Sequence, residues 1–203
     1  MNIGILIFDD VEVLDFCGPF EVFSVAARLV EEDTGKAPFT VFTLAERADG
    51  QPVRCVGGLL VQPHYSLDNH PPLDLLIVPG GWGTRREVDN ARLIDWIRAQ
   101  AAQTQLTTSV CTGAFLLARA GLLEGHSVTT HWASIERLRA SLPSATVLEN
   151  TRYVDEGAIV TSAGISAGID MALHLVGRLQ GEEVARQTAR NMEYTPAADR
   201  QRA

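Results

Sequence analysis

The stretch Leu106-Thr107-Thr108-Ser109-Val110-Cys111-Thr112-Gly113-Ala114-Phe115-Leu116-Leu117-Ala118 decides the fold. A short β-prone run enters it and a helix-prone run leaves it. Small residues at Thr112, Gly113 and Ala114 permit a tight strand-to-helix turn at Cys111. Such a turn is a nucleophile elbow: one side chain is pushed into a pocket, and the helix N-terminal amides point at the same place. A cysteine there is expected to favour its thiolate through the helix dipole. The competing reading is a buried structural cysteine, because free cysteine is among the most buried residue types.

Outward from the elbow, strand-like and helix-like segments alternate. Residues 2–8 read as a buried strand, and Asp15 to Leu29 as an amphipathic helix with Gly18-Pro19 near its first turn. Phe39 to Leu44 reads as a second strand, and Arg54 to Tyr65 as a hairpin around Gly57-Gly58. A buried strand over 74–78 stops at Pro79-Gly80-Gly81. Asn90 to Ala102 is helical in pattern, with Leu93, Ile94 and Ile97 on one face. Beyond the elbow, the pattern predicts helices over 112–120, 133–141, 166–179 and 182–192. Short strands are expected at 127–130, 145–149, 151–154 and 158–162. Alternating βαβα units imply a largely parallel sheet covered by helices on both faces. No linker, charge block or internal repeat divides the chain, so it reads as one domain with a polar tail.

Composition limits the function. The 203 residues are 46% hydrophobic and 21% charged, enough apolar content for a sizeable core. A net charge of −8, with no basic stripe, argues against nucleic acid as the main partner. The three cysteines, Cys17, Cys55 and Cys111, form no CxxC pair. An odd count without a signal peptide fits a reducing cytoplasm. The apolar start is short and lacks a positive n-region, and no run approaches the ~20 apolar residues of a membrane span.

In open parallel sheets the site lies beyond the strand C-termini. Asp15, the Gly80-Gly81-Trp82-Gly83 turn and Cys111 all arrive there. Asp15 reads either as a helix N-cap or as a proton carrier facing the thiol. The Gly81 and Thr112 amides read as donors to an anion developing on substrate, and the glycines as room for close backbone approach. A plain strand-to-helix turn is the alternative. Trp82 either walls the pocket or packs. His131, in Thr129-Thr130-His131-Trp132, reads as a partner for Cys111 or as a hydrogen-bonded core histidine. Glu21 faces the site or solvent, Asp170 reads as a structural acid, and His64 and His70 look like surface residues. No metal is expected: His126 and His131 are five apart, and no HExxH or Cys/His cluster exists.

Seven motifs occur in order: Ile3–Phe8, Leu14-Asp15-x-x-Gly18-Pro19, Pro79-Gly80-Gly81, Ser109-Val110-Cys111-Thr112-Gly113, Thr129-Thr130-His131-Trp132, Gly164-Ile165-x-Ala167-Gly168-Ile169-Asp170 and Glu193-Tyr194-x-Pro196. Together, over residues 2–196, they resemble the ThiJ/PfpI superfamily of class I glutamine-amidotransferase-like proteins. That resemblance implies a flavodoxin-like, three-layer α/β/α sandwich, with one domain over residues 1–196 and a tail over 197–203. Within the superfamily the chain is most similar to the isocyanide hydratases. The similarity implies Cys111 as nucleophile, Asp15 as acid/base and Thr112 as a supporting residue beside the thiol. It also implies a small-molecule substrate, a homodimer and no cofactor.

Two departures matter. The protease and amidase branch carries His directly after the nucleophile, where this chain has Thr112. Glyoxalase-like and deglycase-like branches usually carry Glu where Asp15 stands. The Cys-Thr-Gly and Thr-Thr-His-Trp motifs also occur in the ligand-sensing domains of AraC-type regulators. A ligand- or redox-sensing module therefore stands as one alternative expectation, without DNA binding by this chain alone, and a glyoxalase-like or amidase-like enzyme as another.

Overall fold

Isoleucine, leucine and valine runs build the centre of the molecule. The computed structural model describes residues 1–47 and 51–197. In chain order the strands are β1 (Asn2–Leu6), β2 (Thr40–Ala45), β3 (Val53–Arg54), β4 (Leu60–Val61), β5 (Tyr65–Ser66), β6 (Leu75–Val78) and β7 (Leu106–Val110). They continue with β8 (Ser127–Val128), β9 (Thr146–Val147), β10 (Tyr153–Asp155) and β11 (Ile159–Ser162). The α-helices are α1 (Val13–Thr34), α2 (Thr84–Glu87), α3 (Ala91–Ala101), α4 (Gly113–Arg119), α5 (Ile135–Ser141), α6 (Ala167–Gln180) and α7 (Glu182–Asn191).

Seven strands form the main sheet in the order β10-β11-β7-β6-β1-β2-β5. Every pairing in it is parallel except β10 with β11. The four central strands are almost continuously apolar or hydroxyl-bearing and buried, as a sheet covered on both faces requires. Helices α1, α6 and α7 pack together, and α3 and α4 pack together. The result is the three-layer, mostly parallel α/β sandwich expected. Small two-stranded sheets, β3-β4 and β8-β9, lie outside it.

Strand order locates the crevice. From β1 the chain steps to β2 on one side, then returns to β6 on the other. The direction of winding therefore reverses beside β1, and the C-terminal ends of β1 and β6 diverge into a crevice. Helix α1 leaves β1 there, the Gly80-Gly81 turn leaves β6, and Cys111 leaves neighbouring β7.

Most expected elements appear with ends shifted by a few residues. Helix α1 begins at Val13 rather than Asp15 and runs on to Thr34, closing on Gly35 in the left-handed conformation. Asn90 caps α3 by accepting the Leu93 amide at 3.3 Å. The one-turn α2 went unpredicted, because four residues are too few to show a helical period. Most of the expected polar tail lies outside the described residues. Its first member, the Ala197 amide, donates to buried Asp170 at 3.0 Å, and the Arg152 guanidinium pairs with the same carboxylate. Asp170 is thus the structural acid expected. No described helix is long and apolar enough to cross a membrane.

Candidate active site

Cys111 stands between β7 and α4 with φ of 56°, the left-handed conformation that a sharp elbow imposes on a non-glycine residue. Its backbone is clamped on both sides. The amide donates to Ser162 O and Ala163 O, each at 3.2 Å, and the carbonyl accepts the Thr130 hydroxyl at 2.7 Å. Only 6% of the residue is exposed. A reacting group must therefore be slim to reach the sulfur.

Asp15 is fully buried in the first turn of α1. It is not the N-cap: Glu12 holds that position, and the Asp15 carboxyl turns instead toward the end of β6. Oδ2 accepts the Gly80 amide at 3.0 Å. Oδ1 makes no hydrogen bond of good geometry, although the Cys111 thiol and the Ile165 amide lie near enough to favour the carboxylate. Burial pushes this carboxyl up to about 7. The Gly80 hydrogen bond opposes the shift, and the charge of Glu12 adds to it.

The thiol moves the opposite way from the helix-dipole expectation. Burial, and then the neighbouring Asp15 carboxylate, push Cys111 up to about 12. The Thr112 and Ile165 amides favour the thiolate but do not overcome those two effects. The elbow geometry is present, yet the resting sulfur holds its proton beside a carboxyl that titrates near neutrality. Cys55 is also pushed up, to about 11 and mainly by burial, and Cys17 is half-buried on α1.

Gly80 sets the spacing between these groups. A Cβ at Gly80 would stand 2.5 Å from the Thr112 nitrogen and 2.9 Å from Asp15 Oδ2. Any side chain would therefore wedge the acid and the elbow apart. The Gly81 amide is already engaged, donating to Thr112 Oγ1 at 3.0 Å. The Thr112 hydroxyl also meets Thr84 Oγ1 at 3.1 Å, and Thr84 donates to Gly81 O at 2.8 Å. Threonines 84 and 112 thus brace the turn. The amides that favour the thiolate are those of Thr112 and Ile165, whereas the Gly81 amide donates to the Thr112 hydroxyl.

Ile165 stands in the Gly164-Ile165-x-Ala167 motif, but nothing in that motif marked a role beside the thiol. It has φ of 53°, an unfavourable conformation for a β-branched residue. This backbone turn aims its amide at the sulfur and the carboxyl. Thr84 left a weaker trace, a hydroxyl three residues past Gly81 in a Gly-rich turn.

His131 does not hydrogen-bond Cys111. Its Nδ1 accepts the Ala133 amide at 3.2 Å, capping a short 3₁₀ turn, and its ring lies against Gly164. Glu21 is exposed, so it faces solvent. Trp82 is 65% exposed and Trp132 80%. With Leu14 and Ile165, also exposed, they place large apolar side chains on residues within or next to the site. Cavities of about 410 and 780 Å³ lie elsewhere, and neither Cys111 nor Asp15 lines them. Among the described residues, no group of three or more His, Cys, Asp or Glu side chains is arranged to hold a metal ion.

Known proteins share this arrangement of chain. The isonitrile hydratase of Pseudomonas putida is 37% identical over 97% of this chain and 80% of its own length. The HTH-type transcriptional regulator GbdR of Pseudomonas aeruginosa is 33% identical over 91% of the chain, which spans about half (48%) of that regulator. Among solved structures, a ThiJ/PfpI family protein from Pseudomonas syringae superposes with a TM-score of 0.83 at 27% identity, covering 96% of this chain and 75% of its own. An AraC family transcriptional regulator from Pseudomonas putida superposes with a TM-score of 0.79 at 22% identity, covering 94% and 98%, a likeness of fold. The DJ-1/PfpI family model matches residues 1–178, and the chain belongs to that family.

Proposed function

We propose that the chain hydrates organic isocyanides to N-substituted formamides, with Cys111 as nucleophile and Asp15 as acid and base. The observation that carries the reading is the pairing of a protonated, buried thiol with a buried carboxyl that titrates near 7. As the sulfur attacks the terminal carbon of R–NC, the Asp15 carboxylate takes the thiol proton and passes it to that carbon. The product is a thioimidate, Cys–S–CH=N–R. Asp15 then draws a proton from water as the oxygen adds to the same carbon. The C–S bond breaks, nitrogen ends with one proton, the thiol regains its own, and R–NH–CHO leaves. Two covalent steps replace one difficult addition. The Thr112 and Ile165 amides stabilise negative charge on the sulfur between them.

The narrow approach to the sulfur supports this substrate. An isocyano group is linear and ends in its electrophilic carbon, so it suits the thiol of a residue that is only 6% exposed. The R group then stays outside, among Leu14, Trp82, Trp132 and Ile165. The test is incubation with p-nitrophenyl isocyanide and detection of the formamide. Cys111→Ala is expected to form none, and Asp15→Asn far less than the native chain. Undiminished turnover by Cys111→Ala overturns the mechanism.

A second reading, a ligand-sensing module, is favoured by the 33% identity to a transcriptional regulator over about half that regulator's length. Absence of product across a panel of isocyanides, with ligand binding retained, favours sensing over catalysis.

A further inference from the structure

Among the described residues, two arginines beside the elbow have no acidic partner. On α2, the Arg85 guanidinium carbon stacks 4.2 Å from the centre of the Trp82 ring. On α5, that of Arg137 stacks 4.1 Å from the centre of the Phe115 ring. Phe115 lies on α4, against which α2 packs, so the two stacks flank the first turn of the helix that Cys111 begins. Both arginines are exposed, and neither makes an ion pair among the described residues. Three acids close to them in sequence or across α5 pair with other arginines: Glu87 with Arg86, and Glu136 and Glu149 with Arg139.

The two guanidiniums also act on each other. Burial, and then the charge of Arg85, lower the Arg137 guanidinium. An anion placed between them relieves that repulsion. The aromatic rings hold each fork in place, and a guanidinium fork matches a carboxylate or phosphate with paired hydrogen bonds. The position is close to the chemistry. Trp82 follows Gly81, Thr84 next to Arg85 meets the Thr112 hydroxyl, and the Phe115 amide donates to Thr112 O at 3.1 Å.

We propose that Arg85 and Arg137 form an oxyanion-binding subsite beside the Cys111 elbow, which selects ligands carrying a carboxylate or phosphate monoester on an aromatic or apolar body. The link to turnover rests on the isocyanide reading; the subsite itself does not. The first experiment titrates the full chain with benzoate, phenyl phosphate and neutral benzamide at low salt, following tryptophan fluorescence and calorimetric heat. At least one oxyanion is expected to bind about tenfold or more tightly than benzamide, and to weaken about tenfold in both Arg85→Gln and Arg137→Gln. The stronger of the two oxyanions identifies the anion class. Failure of both to bind, equal binding of benzamide, or unchanged affinity in both variants overturns the subsite.

The second experiment compares 4-isocyanobenzoate with its methyl ester. The acid is expected to show the lower KM, and Arg85→Gln to raise that KM toward the ester's. Loss of oxyanion binding in the variants, with no turnover of either compound, upholds the subsite and overturns the hydratase reading. Turnover of both compounds with equal KM, and no oxyanion binding, does the reverse.

Discussion

The Gly80 amide donates to Asp15 Oδ2 at 3.0 Å, tying the first turn of α1 to the end of β6. That single bond does not offset burial, so the folded carboxyl titrates near 7 against 3.8 for an unperturbed aspartate. A carboxyl raised on folding binds its proton more tightly in the native state than in the unfolded one. Stability is therefore highest below about pH 4 for this group and falls as pH rises toward 7. The shift corresponds to roughly 4 kcal/mol at most. Asp15→Asn keeps an acceptor for Gly80 and removes the titration. Urea unfolding at pH 4.5 and 7.5 is expected to show a decline in the native chain that is largely absent in the variant. Parallel declines in both proteins would falsify the assignment.

Gly80 has no space for a methyl group. Gly80→Ala would place its Cβ 2.5 Å from the Thr112 nitrogen and 2.6 Å from its hydroxyl. The hydroxyl is held by Gly81 and Thr84, and the nitrogen is backbone at the elbow, so neither yields cheaply. Overpacking of this kind costs roughly 1–3 kcal/mol. Because the strain lands between Asp15 and the elbow, isocyanide turnover is expected to fall by far more than the lost stability explains. A denaturation midpoint and a turnover assay on the same preparation separate the two losses. A native-like turnover rate in Gly80→Ala would show that the spacing is not critical.

The central strands were legible because β1, β6 and β7 are largely apolar or hydroxyl-bearing runs of four or five residues, with β6 stopping before Pro79-Gly80 and β7 at the elbow. The site was legible to the extent that topology gathers strand C-termini: it brought Asp15, Gly80 and Cys111 together before any coordinate. The rest depends on distances. Nothing in Gly164-Ile165 announces that an isoleucine adopts φ of 53° and turns its amide to the sulfur. The Gly81 amide looked free in sequence but is taken by the Thr112 hydroxyl. The helix dipole argued for a thiolate, while burial, which no single sequence reveals, decides for the thiol. The two-residue β5 and the one-turn α2 are too short for periodicity to detect.

Asp15 makes the sulfur less reactive toward simple alkylation even as it serves the proposed hydration. Its carboxylate charge is the second cause, after burial, of the raised thiol. Above pH 7 that charge is present, and below pH 7 it is progressively lost. Asp15→Asn removes it at every pH. Iodoacetamide labelling of Cys111 at pH 8.5 is expected to be severalfold faster in the variant, with the rates converging near pH 6. Hydration of p-nitrophenyl isocyanide by the same variant is expected to fall. Rates of labelling and hydration that drop together would mean Asp15 acts only by holding the elbow in shape.

Asp170 offers a test remote from the elbow. Its side chain is 5% exposed and receives the Arg152 Nε at 2.7 Å, with Nη2 on the same oxygen, while the Ala197 amide holds the other oxygen at 3.0 Å. Arg152→Met leaves a buried carboxylate with one backbone donor. Removing one partner of a fully buried pair costs about 3–5 kcal/mol, and the partial exposure of Arg152 reduces that to roughly 2 kcal/mol. Asp170→Asn removes the charge that needs a partner, so Arg152→Met in that background is expected to cost less than half as much. Urea titration of the four proteins gives the coupling directly. Equal costs in both backgrounds would show that Arg152 contributes packing along α6 and not charge. In the native background, loss of the pair is also expected to loosen the Ala197 amide. Faster hydrogen exchange at the Ala197 amide would report that release, since its acceptor is the same carboxylate.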